Sequence, residues 1–133
     1  MVKVKRMKTR RKQIAEQVKR QKTSQQLELE GKMAYCTGTE HYYKSPVLCY
    51  QYTDGVQTFA QEAGAYWLLS EFNRFVYGEK NFTALKLIVN DGKGDIYKND
   101  VKVKHISFTD CPDGEWIFYY EPQANVMMWC GEY

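Results

Sequence analysis

The densest polar constellation in the chain is EHYYK, where Glu40, His41, Tyr42, Tyr43 and Lys44 set acceptors, donors and two flat rings side by side. A second aromatic pair, Tyr66 and Trp67, follows later in the sequence. If the two segments meet, Glu40, His41, Tyr42, Tyr43, Tyr66 and Trp67 line a groove for a peptide or a planar ligand, because such rings bury much area at little entropic cost. The structural alternative is that one tyrosine packs inward and the remaining polar groups stay solvated, since buried Tyr and Trp are common.

Thiol chemistry has two possible settings, Cys36 with His41 and Cys111 with His105, because a neighbouring imidazole promotes ionisation of a thiol. Neither pair lies in a catalytic signature, and cysteine serves readily as a small core residue. Cys36, Cys49, Cys111 and Cys130 show no CxxC spacing, and two histidines are too few for a His-based centre, so the expectation is reduced thiols, no metal and no cofactor. The stretch DGKGDIYKNDVK places Asp91 and Asp95 as a calcium loop would. Lys93 and Ile96 then stand where a ligand and a glycine are needed, and Lys102 where a bidentate carboxylate belongs. It also lacks the Lys-Ser/Thr ending of a phosphate loop and reads as a hairpin turn. Asp110, Asp113 and Glu115 offer carboxylates for acid–base work, yet they surround Pro112 and Gly114, and Asp110 reads as the cap of that turn. No catalytic residue is assigned, and an enzyme is the less favoured reading.

Charge is distributed very unevenly. Residues 1–22 carry ten cations (Lys3, Lys5, Arg6, Lys8, Arg10, Arg11, Lys12, Lys19, Arg20 and Lys22) against Glu16, whereas residues 23–133 carry nine against fifteen anions. The formal net charge of +3 therefore conceals a basic arm on an acidic body. Such an arm binds phosphate backbones through counterion release without reading bases, or docks on an acidic protein. Its few aromatics argue against stacking on single strands. Ile14 and Val18 lie one turn apart with little else on their face, so the arm can be helical without packing tightly.

These groups must be carried by one domain, since 133 residues suffice for a single core without disulfides or a metal. Eleven tyrosines, six phenylalanines and three tryptophans argue against disorder beyond the termini. No run approaches the roughly 20 apolar residues of a membrane span, and no apolar segment of a secretory signal follows the basic start, so a cytoplasmic protein with no membrane partner is expected.

The domain, residues 23–133, opens with a helix capped by Ser24 and running through Leu27, Leu29 and Met33, with Gly31 as its weak point. Thr37 and Glu40 have capping-box spacing for a short helix or turn over TGTEHYY, stopped at Ser45-Pro46. Val47 to Tyr52 suggests a short extended segment. Asp54 as N-cap with Gln57 three residues on predicts a long helix to about Val76, ending at Gly78, with Gly64 tolerated for a close approach of another backbone. The period then changes to that of strands. FTALKLIVN, DIYK, VKVKHISF, EWIFYY and NVMMWC alternate around turns, and a phase change in the third suggests a bulge near His105. The predicted fold is α+β: two or three N-terminal helices packed on one face of a four- or five-stranded antiparallel β-meander.

TGTEHYY, then YTDGV with AYWLL, then FTDCP with a terminal EY, occur in the order found in an uncharacterised family of small bacterial and phage proteins, a domain of unknown function, which residues 24–133 resemble. The resemblance implies a fold and a phage or mobile-element setting in a bacterial cytosol, and no catalytic residue. The expectation is a non-enzymatic binding or regulatory protein whose arm engages nucleic acid or an acidic protein partner. The alternatives are a small-ligand binder or small enzyme using the Glu40–Lys44 and Tyr66–Trp67 region, and a virion-associated structural component.

Overall fold

The structure, a computed structural model, describes residues 24–34 and 41–132. The basic arm lies outside the described residues, as do Cys36, Thr37 and Glu40. Among the described residues three helices, α1 (Ser24–Ala34), α2 (Asp54–Glu62) and α3 (Tyr66–Val76), accompany seven strands. The strands are β1 (Tyr42–Lys44), β2 (Gln51–Thr53), β3 (Thr83–Asn90), β4 (Lys93–Lys98), β5 (Val101–Ile106), β6 (Gly114–Glu121) and β7 (Val126–Trp129), followed by a 3-10 turn, Cys130–Glu132.

The fold is α+β, but the sheet exceeds the expected meander in size and in topology. All five predicted strands form, and β1 and β2, three residues each, extend the sheet to the order β1-β2-β7-β6-β3-β4-β5. The extended segment expected over Val47–Tyr52 is strand only at Gln51 and Tyr52, and β1, at three residues, carries too few alternations to register as a pattern. The TGTEHYY segment ends in β1 rather than in a short helix. β2 pairs with β7 in parallel, so the sheet is mixed, while the other pairings are antiparallel. Nor do the strands follow one another in space. β6 returns beside β3 instead of β5, and the intervening loop is pinned to the β3–β4 turn, where the Thr109 amide donates to Gly92 O at 2.8 Å and the Asp91 amide to Asp113 Oδ1 at 3.0 Å. Asp110, expected to cap this loop, is exposed; Thr109 Oγ1 accepts from the Cys111 amide at 3.1 Å in its place.

Alternation fixes the register at the centre. Leu85, Leu87 and Val89 of β3 and Trp116, Phe118 and Tyr120 of β6 are buried, with Leu85 opposite Phe118 and Leu87 opposite Trp116. Both turns flanking β4 have positive φ at their two central residues, Asp91–Gly92 and Asn99–Asp100, the twist that favours tight hairpins. The bulge lies at Val103, two residues before the expected place: Ile96 faces Lys104 and Tyr97 faces Lys102. That extra residue turns Lys102 and His105 to the same side of the sheet, where both meet Asp95, at 3.1 and 2.7 Å.

The helices cover one face. Phe59 of α2 packs on Trp116 and Phe118 with ring centroids 5.0 and 5.1 Å apart, and Phe72 of α3 lies 5.4 Å from Phe118. Leu29 and Met33 of α1 join the same core, and the buried Gln26 donates to Glu115 O at 3.0 Å, fastening α1 to the start of β6. Each such aliphatic or aromatic burial contributes about 1.5–3 kcal/mol. The single long helix expected from 54 to 76 is two. α2 ends at Ala63, Gly64 takes φ +61°, and the Ala65 amide donates to Ala60 O at 2.8 Å, the bonding of a Schellman termination. No atom lies within 4 Å of where a Gly64 Cβ would stand, so this glycine serves a left-handed backbone and not a close approach.

Candidate functional site

Half of the expected aromatic groove assembles. Tyr43 of β1 lies opposite Tyr52 of β2, and their rings stack at 5.5 Å with an 18° tilt. The pairing directs both rings toward the helices. Burial, and secondarily the neighbouring Tyr66, push the Tyr52 phenol above its ordinary pKa. Tyr66 is the first residue of α3; it is 48% exposed, and its hydroxyl accepts from Gln57 Nε2 at 2.8 Å. Gln57 Oε1 is buried with no hydrogen-bond partner among the described residues. Tyr43, Tyr52, Tyr66 and Gln57 therefore form one corner where β1, β2 and the α2–α3 junction meet.

The remaining predicted groove residues do not all reach it. Tyr42 alternates to the opposite face of the sheet and is exposed. Trp67 packs half-buried against the core. His41 sits at the rim, with its amide donating to Asp54 Oδ2 at 3.3 Å and its Nδ1 at 3.8 Å from Asp54 Oδ1. Glu40 is among the residues outside the description. Tyr52 and Gln57 belong to the corner without having been expected there; Tyr52 sits one residue ahead of the TD pair that begins the helix, and its alternation with Tyr50 was the available signal.

The expected Asp54–Gln57 capping pair does not form. Thr53 holds the N-cap position, Asp54 is the first helical residue and Gln57 turns to Tyr66. The cap comes from far along the chain, where Glu132 accepts from Thr53 Oγ1 at 2.6 Å and from the Gly55 amide at 3.1 Å. A carboxylate at a helix start satisfies free amides and favours the positive end of the dipole whichever part of the chain supplies it. The terminal EY phrase is where sequence held a trace of this.

The corner's chemistry is that of hydrogen bonding and ring contact. Tyr50, beside it, donates its hydroxyl to Leu69 O at 2.6 Å, and burial drives its phenol far above the ordinary range. Burial likewise raises the Cys49 and Cys111 thiols, so both remain protonated at neutral pH and are poor nucleophiles. His105, the proposed partner of Cys111, is held by Asp95 at 2.7 Å. Among the described residues no group of three or more His, Cys, Asp and Glu side chains is placed to hold a metal ion. No helix among them is long and apolar enough to cross a membrane.

A family model, the family of unknown function DUF6876, matches residues 27–133, and the chain belongs to that family. No curated protein matches the chain. No solved structure matches it either.

Proposed function

We propose that this protein is a non-enzymatic binding or regulatory protein, in which an α+β body engages a partner and the basic arm, residues 1–22, adds electrostatic affinity for nucleic acid or another polyanion. The observation that carries the reading is the charge split, ten cations against one anion in the arm and nine against fifteen in the body. The body's ion pairs support it indirectly: five of its nine cations, Lys32, Lys86, Lys98, Lys102 and Lys104, are each engaged by a carboxylate, which offsets part of the body's positive charge locally. A phage or mobile-element setting belongs to the same reading and rests on the resemblance of the sequence motifs. Affinity of the full chain for duplex DNA should fall linearly in log–log form as salt rises. Neutralising arm lysines and arginines to glutamine should flatten that slope by roughly 0.9 for each phosphate that is no longer neutralised. Equal binding by both proteins, or none by either, overturns the arm's role.

A second reading is favoured by the meeting of Tyr43, Tyr52, Tyr66 and Gln57: a small planar ligand or peptide side chain held at that corner. Perturbation of Tyr66 and Gln57 signals in a ligand screen, abolished by Tyr66→Ala, is the expected sign. A screen in which no compound moves those signals disposes of it.

A further inference from the structure

Among the described residues both edges of the sheet are open, since β1 at one end and β5 at the other each pair on one side only. An open edge presents amides and carbonyls to any second strand, a second copy of this chain included. β1 is three residues long and offers little to pair with. β5 is six residues long, and its Val101 and Val103 are 64% and 38% exposed, so length and composition alone would make it a template.

The bulge changes that. Because Tyr97 faces Lys102 and Ile96 faces Lys104, Val103 has no counterpart on β4, and the strand is cut into Val101–Lys102 and Lys104–Ile106. β5 is left with two and three residues in unbroken register, no more than β1 offers. A bulge also bends and twists its strand, which sets one half out of line with the other. The side chains act in the same direction. β5 carries Lys102, Lys104 and His105 and no carboxylate. An antiparallel copy would lay these basic groups along their own counterparts, and like charges opposite one another destabilise a strand pair. Asp95 and Glu71 hold the two lysines in place at 3.1 and 2.8 Å, so a strand laid against β5 has to displace or desolvate them.

We infer that the Val103 bulge and the lysines on either side of it guard β5 against pairing with a second copy of this chain, and that β5 is the surface through which the protein self-associates once they are removed. The guard does not depend on the arm, and it lies at the opposite end of the sheet from the tyrosine corner.

Sedimentation and hydrogen exchange of the full chain at rising protein concentration test it, with deletion of Val103, with Lys102→Thr plus Lys104→Thr, and with both changes combined. The deletion gives β5 a regular register without removing either lysine, and threonine favours a strand without charge. The combined variant should associate, and its outward amides within residues 101–106 should exchange roughly 10-fold more slowly in the associated protein. The deletion alone should show a smaller slowing and the lysine changes alone the smallest, while the wild type should show none at 101–106. Amides of β3 and β6 should keep their wild-type rates. A folded combined variant whose 101–106 amides ignore concentration overturns the inference, as does a wild type that is protected there to the same degree. Should the deletion fail to fold, the lysine changes alone decide: concentration-dependent protection at 101–106 supports the guard, and its absence overturns it.

Discussion

Along β3 and β6 every second side chain enters the core, so the paired register of Leu85 with Phe118 and Leu87 with Trp116 is held by many apolar neighbours at once. At the corner of β1, β2 and α2, Tyr52 and Val56 are buried too, but the long-range polar fixed points are single hydrogen bonds between residues 76 to 79 positions apart, from Asn125 to Cys49 and from Thr53 and Gly55 to Glu132. The first arrangement spreads its stabilisation over many contacts, and trimming one central side chain removes several of them together. The second is selective, because a lone carboxylate decides whether several amides and a hydroxyl are satisfied.

The largest effect should come from the centre. Phe118→Ala removes a ring that touches both Phe59 and Phe72 and should cost about 3–5 kcal/mol in urea unfolding, enough to threaten folding outright. A cost below ~1 kcal/mol would deny the centre its role. At the corner, Gly55→Ala should destabilise by about 1–3 kcal/mol by driving a Cβ into the Glu132 carboxylate. In a Glu132→Ala background the same change should be neutral or stabilising by up to ~1 kcal/mol, since alanine favours the helix. Additive effects in that double-mutant cycle would mean that the two residues do not touch.

Gly64→Ala should lower stability by about 1–2 kcal/mol, measured by thermal unfolding, because φ +61° is strained for a residue with a Cβ. Equal stability would argue for one continuous helix from 54 to 76. The smallest effect belongs to the solvent-facing ion pairs. The His105 imidazole, and to a lesser degree Lys102, hold the Asp95 carboxyl below its ordinary range, and Lys98 does the same for Glu79. A carboxyl lowered in the folded state adds stability above its unfolded pKa and loses it as pH falls through the folded value. His105→Gln should thus move the acid-unfolding midpoint slightly toward higher pH. An unchanged midpoint would show that solvent screening cancels the pair.

The same contrast explains what could be read from sequence. Alternation made β3, β4, β5, β6 and β7 legible, and the Asn99–Asp100 and Asp91–Gly92 turns marked where they reverse. Helical spacing revealed the core faces of Val56, Phe59, Leu68 and Phe72, yet it ran unbroken across Gly64 and concealed the break. Periodicity reports burial, and burial is alike on two helices packed on one sheet. The Glu132 cap was invisible for another reason. Asp54 and Gln57 satisfied a local rule, whereas the cap in place depends on three-dimensional proximity that no spacing encodes. The tyrosine corner fell between these cases, with Tyr43 and Tyr66 anticipated and Tyr42 and Trp67 directed elsewhere by strand alternation and core packing.

The parallel pairing of β2 with β7 also sets a timetable. Gln51 and Tyr52 pair locally with Lys44 and Tyr43 of β1, but they join the main sheet only at Val126 and Met127, so the short β1–β2 pair has no larger sheet to join until nearly all of the described chain has been made. Pairings of such sequence separation are slow to form, because their loop-closure cost falls due before any of their stabilisation is gained. The β3–β4–β5 hairpins can form quickly from neighbouring residues, and β1, β2 and the start of α2 must wait. On the ribosome, the tyrosine corner would be the last part of this protein to mature.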